Sequence, residues 1–77
     1  MEVNVTMMTK KEVKNSFEWA LETYKKYYKE YINNNKSNKY SKEHEYYDGM
    51  AKAYGDVLGL SFEDVKDRID NIKNNLG

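Results

Sequence analysis

Phe17-Glu18-Trp19-Ala20-Leu21-Glu22-Thr23-Tyr24-Lys25-Lys26-Tyr27-Tyr28-Lys29-Glu30-Tyr31 is the stretch that decides the fold. Within it Phe17, Leu21, Tyr24, Tyr28 and Tyr31 are separated by gaps of 4, 3, 4 and 3. Residues three and four apart share one side of an α-helix, so this spacing is a helical stripe. After a polar break the rhythm resumes at Tyr40, His44, Tyr47, Ala51, Tyr54 and Leu58, with gaps of 4, 3, 4, 3 and 4. Two stripes in one register, joined by a short loop, predict a long antiparallel helical hairpin with a tyrosine-rich seam.

Boundary signals flank the stripes. Thr9-Lys10-Lys11-Glu12 reads as a capping box, with Met8 and Val13 placed for a hydrophobic staple. The first helix is therefore expected over about 10–33, and residues 1–8 form an N-terminal arm with apolar residues at alternate positions (Val3, Val5, Met7). Asn33 to Asn38 is mostly asparagine, lysine and serine, which favour turns over helix. Ser41 is the expected N-cap of a second helix over about 42–58, with Glu43 and Glu45 near its positive end. Gly59 suits a left-handed C-cap. Ser61-Phe62-Glu63-Asp64 is a second capping signature, with Leu60 and Val65 as its staple. It opens a third, shorter helix over about 62–75, whose stripe is Phe62, Val65, Ile69, Ile72 and Leu76.

The fold class is thus all-α, one domain over 1–77. It closes as a three-helix bundle, with the third helix over the flank bearing Val13, Ala20, Tyr27, Met50 and Val57, or else the hairpin dimerises. A chain this short buries only a small core, and small helical proteins often solve that by association. There is no cysteine, so no disulfide or thiolate metal site, and no proline to break long helices. No apolar run reaches the roughly 20 residues of a membrane span. The first eight residues lack a charged-then-apolar leader pattern, so no signal peptide is expected. A soluble cytoplasmic protein without membrane contact is the expectation.

The formal net charge is zero, but residues 1–42 hold nine lysines against five glutamates. Residues 43–77 hold four basic and eight acidic side chains. In an antiparallel hairpin these halves lie side by side and attract; either could also steer a partner.

Chemistry-bearing constellations are sparse. His44 is the only histidine, with no cysteine or second histidine to complete a metal set. At a seam position it reads first as a packed residue bonded to a tyrosine. Asp64, Asp67 and Asp70 recur every three residues, interleaved with Lys66, Arg68 and Lys73, which is the pattern of a solvated helix surface. No glycine-rich phosphate loop or nucleophile motif is present. The expectation is a non-enzymatic protein with no cofactor and no metal.

The residues off the rhythm carry the functional reading. Trp19 falls on the side of the first helix away from the seam, and tryptophan is enriched at binding hot spots. The alternative is that the N-terminal arm covers it. Tyr46, Gly49 and Ala53 form a strip on the second helix, also off the seam. Two interior glycines, Gly49 and Gly55, suggest a close neighbour, because each costs roughly 1 kcal/mol against alanine in a helix. Trp19, Tyr27, Tyr46, Gly49 and Ala53 are therefore the candidate protein-binding residues. Lys25, Lys26 and Lys29, with Lys36 and Lys39, interleave with tyrosines and could instead meet phosphates and bases. No helix-turn-helix pairing accompanies them.

The segment Tyr46-Tyr47-Asp48-Gly49-Met50-Ala51-Lys52-Ala53-Tyr54-Gly55-Asp56-Val57-Leu58 resembles small phage and prophage proteins of low-GC Gram-positive bacteria. The shared residues are Tyr47, Gly49, Ala53-Tyr54 and Val57-Leu58, and the Lys, Asn and Tyr bias is similar. The resemblance implies a helical accessory protein that binds a host or phage protein, in the manner of inhibitors of replication, restriction or CRISPR nucleases. The function expected is a small helical protein-binding module, such an inhibitor among the forms it takes. The alternatives are a nucleic-acid-associated protein and a structural homo-oligomer whose tyrosine seam is intermolecular.

Overall fold

Thr9 starts the first helix. Its hydroxyl accepts from the Glu12 amide at 3.2 Å and donates to the Glu12 carboxylate at 3.1 Å. This is a capping box closed through the threonine hydroxyl at both ends. The computed structural model describes residues 9–35 and 38–76, with the backbone alone for 38–40. It contains α1 (Lys10–Asn33), α2 (Asn38–Val57) and α3 (Phe62–Leu76), and no strand among the described residues. The N-terminal arm, Met8 of the expected staple and Lys36 lie outside the described residues. So do the side chains of Lys39 and Tyr40.

The chain is an all-α three-helix bundle. α1 and α2 pack along each other as the long hairpin, and α3 makes a smaller interface with both. α1 ends where Asn35 takes a left-handed φ of 58°, which asparagine tolerates better than most residues. The Asn34 amide donates to the Glu30 carbonyl at 3.0 Å, and its side chain to the same carbonyl at 2.7 Å, satisfying a terminal acceptor. α2 starts at Asn38, a turn earlier than the sequence suggests, so Ser41 lies inside the helix and is not its cap. Composition marks 33–38 as loop, but Asn33 still belongs to α1 and Asn38 already to α2.

The α2–α3 connection follows its sequence closely. Gly59 has φ 82°, and the Leu60 amide reaches the Gly55 carbonyl at 2.9 Å while the Gly59 amide reaches Asp56 at 3.0 Å. Those two bonds are a Schellman motif. The Ser61 hydroxyl then accepts from the Asp64 amide at 3.1 Å, and Asp64 accepts from the Ser61 amide at 3.4 Å. One helix ends and the next begins within four residues.

The core comprises Val13, Phe17, Ala20, Leu21, Tyr24, Met50, Ala51, Tyr54, Val65 and Ile69, with Tyr28, Tyr47, Leu58 and Ile72 packed against it. Of the seam tyrosines, Tyr24, Tyr28, Tyr47 and Tyr54 thus pack within the chain. Helix α3 occupies a different flank from the one expected. Val65 seats against Gly55, where a Cβ would meet Val65 Cγ2 at 2.5 Å. Arg68 bonds Glu18 through both guanidinium nitrogens, at 2.8 and 3.0 Å, and lies 5.2 Å from the Phe17 ring centre. Lys73 stands over Tyr28 and Lys52 over Phe62. The missing side chain at Gly55 and the Glu18 carboxylate draw α3 to this side. Val13, Ala20 and Met50 are still buried, but Tyr27 stays half-buried and Val57 exposed. Phe62, expected in the buried stripe, is 63% exposed at the start of α3.

Candidate interaction face

Turning about 100° per residue, Tyr27 stands about 200° from Lys25 on α1, and Ala53 about 200° from Gly55 on α2. Lys25 lines a groove of about 210 Å³ with Arg68, Asn71, Ile72 and Asn75 of α3. Gly55 touches α3 directly. Tyr27 and Ala53 therefore belong to the opposite flank of the hairpin, which α3 leaves uncovered.

Four aromatic rings join across that flank. Trp19 is 51% exposed and meets Tyr47 edge-on at 5.6 Å. Tyr27 stacks on Tyr47 at 5.4 Å with the planes 4° apart. Tyr46 is 40% exposed and meets Tyr47 edge-on at 5.1 Å. Offset-stacked and edge-on pairs are favourable geometries for aromatic rings, and they hold each other in place. Thr23, between Trp19 and Tyr27, turns its hydroxyl back to the Trp19 carbonyl at 2.8 Å.

The structure thus brings Trp19, Tyr27 and Tyr46 together, and it shows why. Trp19 does not stand alone behind the hairpin: its ring reaches across to α2. Tyr47 is the link, and the sequence reading assigned it to the seam. It sits at the seam's edge, half-buried, and loss of solvent, then Tyr27, raises its phenol above the usual range. The signal that could have found it is the Tyr46-Tyr47 pair, since adjacent residues on a helix straddle a face boundary. Gly49 and Ala53 lie exposed on the same flank. A Cβ on Gly49 would meet nothing within 4 Å, so no neighbour among the described residues accounts for that glycine.

Of the basic alternative, Lys25 and Lys26 point to different flanks. Lys26 lies 5.7 Å from the Tyr27 ring centre, while Lys25 faces the α3 groove on the other flank. The lysine–tyrosine stretch of α1 thus splits between two sides. The second exposed apolar feature is the α2–α3 turn, where Leu58, Leu60 and Phe17 line a hollow of about 270 Å³ and Phe62 projects beside it.

At the loop end of the seam, His44 packs among Tyr24, Tyr28 and Tyr31, with ring centres 5.9, 5.3 and 4.7 Å away. Burial holds its pKa below the ordinary histidine value. Tyr24 is fully buried and burial drives its phenol pKa up strongly. No hydrogen bond joins His44 Nε2 or the Tyr24 hydroxyl to another described residue; toward Tyr24, Tyr28 and Tyr31 the contact is ring packing. Hydrogen bonding to Arg68 lowers the Glu18 pKa and raises that of Arg68. Among the described residues no three metal-ligating side chains gather, and no helix is long and apolar enough to cross a membrane.

Compared with family models, curated proteins and solved structures, the chain matches none of the three.

Proposed function

We propose that this chain is a non-enzymatic protein-binding module whose recognition face is the flank of the α1–α2 hairpin opposite α3. The observation that carries this reading is the aromatic cluster Trp19–Tyr47–Tyr27–Tyr46, packed ring against ring with Trp19 and Tyr46 exposed and Tyr27 and Tyr47 half-buried. Preordered aromatics offer large contact area at low entropic cost, and Trp and Tyr dominate interface hot spots. Gly49 and Ala53 beside them let a partner backbone come close. The face would act by occlusion, covering a functional surface of a second protein, which is the mode of action implied by the resemblance to phage accessory proteins. A cytoplasmic setting is part of the same reading.

The test compares three proteins in capture from host lysate followed by direct binding of the captured partner. Trp19→Ala is expected to keep the wild-type helical signal and cooperative melting, because its ring is half in solvent, while weakening binding a hundredfold or more. Phe62→Ala, at the other apolar feature, is expected to bind as wild type. Retained binding in the Trp19 variant, or loss confined to the Phe62 variant, would reject this face. A mobility shift of nucleic acid at low salt that fades steeply with added salt would favour the lysine–tyrosine surface instead.

A further inference from the structure

We propose that His44 is a proton-operated latch on the loop end of the α1–α2 hairpin, closed while its ring is neutral and released when it is protonated. Release would loosen the aromatic face one turn along α2, so the latch regulates the binding proposed above. That regulatory part rests on the Trp19 reading; the latch itself does not.

The geometry is an enclosure. Tyr24, Tyr28 and Tyr31 lie on successive turns of α1 and surround the His44 ring at 4.7 to 5.9 Å. Tyr24 and Tyr28 meet it at 87° and 89°, so the imidazole is wedged between rings rather than bonded to them. Its Nε2 is buried without a hydrogen-bond partner among the described residues. A neutral imidazole tolerates this with one nitrogen as a bare acceptor, but an imidazolium has two donors and a charge to satisfy.

The charges around the ring decide the sign. From α2, Glu45 and Asp48 favour the charged form; from α3, Lys73 opposes it, standing over the same Tyr28 ring. The facing groups of α1 are neutral phenols, and Tyr24 resists ionisation further through burial. Asp48 is held by Lys52 at 3.0 Å, which spends much of its field elsewhere. Loss of solvent is the largest influence, and it lowers the histidine pKa below its ordinary 6.5. Tyrosine faces do attract cations, but here they fail to offset that loss. With the folded pKa depressed, the unfolded chain binds the proton more tightly. The latch is therefore fully closed above about pH 6.5 and weakens as the pH falls through that value toward the folded pKa.

The route to the face is short. Tyr47 lies three residues from His44 on α2 and stacks on Tyr27, which adjoins Tyr28 of the enclosure. Separation of the helices at His44 pulls on that stack and on the Trp19 edge contact.

One histidine and one tryptophan make the experiment direct. The imidazole NMR signal of the whole chain is followed from pH 8 to 4.5, alongside amide exchange of α1 and α2 and Trp19 emission. A His44 midpoint below 6.5 is expected, with amide protection around Tyr28 and His44 falling about tenfold per unit of depression, corrected for the intrinsic pH dependence of exchange. His44→Phe and His44→Gln should abolish that fall between pH 7 and 5.5. Either variant that melts cooperatively suffices. A midpoint at or above 6.5, or the same loss of protection in a folded variant, overturns the latch. Binding lost in Trp19→Ala but unchanged from pH 7.5 to 5.5 would leave the face standing and remove the regulation.

Discussion

Two glycines in the same helix differ at the residue scale. Gly55 is buried, and a Cβ there would come 2.5 Å from Val65 Cγ2 and 3.5 Å from Phe17 Cε1. Gly49 is exposed and open. Helix propensity favours alanine at both by roughly 1 kcal/mol. At Gly49 nothing opposes that gain, so Gly49→Ala should raise the melting temperature by a few degrees. At Gly55 the added methyl must displace α3, and overpacking costs about 1–3 kcal/mol, so Gly55→Ala should lower it. Paired melts check both signs. If Gly49→Ala also weakens partner binding while stabilising the fold, the open backbone serves the partner. The sequence marked both glycines as close-approach sites, and periodicity alone could not separate them. What separates them is which flank α3 takes, a choice made by residues far apart in the chain, Gly55 with Val65 and Glu18 with Arg68. The same non-local choice is why Tyr47 read as seam when it is the junction of the exposed aromatics.

Helix ends were legible where a local hydrogen-bonding motif defines them. Thr9 with Glu12, Gly59 with Leu60, and Ser61 with Asp64 each satisfy orphan backbone groups through residues no more than five apart, so sequence suffices. The start of α2 was misread because Ser41 is a good cap residue followed by acidic ones, yet the helix already holds it. Residue type gives a preference, and the chain can spend it elsewhere. Substitution distinguishes the two serines at the scale of the element. Ser61→Ala should cost about 1 kcal/mol through loss of its cap, a melting shift of roughly 4–8 °C for a chain of this size. Ser41→Ala should be neutral or slightly stabilising, since alanine is the better interior residue. Equal losses at both sites would mean that α2 starts at Ser41 after all. Gly59→Ala should cost a further 1–2 kcal/mol, because alanine resists the positive φ found there.

At the scale of the whole molecule, the three helices are not equal partners. Among the described residues the hairpin supplies eight of the ten buried hydrophobic residues, and α3 adds Val65 and Ile69. Its further ties include Ile72 against the core, the Arg68–Glu18 pair and the cation contacts at Phe17, Phe62 and Tyr28. Exposed ion pairs of that kind contribute about 0–1 kcal/mol. The α2–α3 connection is tight, so α3 can lift away by unwinding only its own end. These features make α3 the unit of lowest local stability. Native-state amide exchange should therefore show α3 opening with a smaller free energy than Phe17–Tyr24 of α1, which exchange only on global unfolding. Ile69→Ala should widen that gap, exposing α3 selectively while the hairpin retains its protection. If all three helices exchanged with one free energy, and Ile69→Ala lowered them together, α3 would be an integral part of a single cooperative core. The distinction bears on function, because α3 covers one side of the hairpin while the aromatic face is on the other. A hairpin that stays closed when α3 opens keeps Trp19, Tyr27 and Tyr46 in register, so binding at that face should survive Ile69→Ala even though the melting temperature falls.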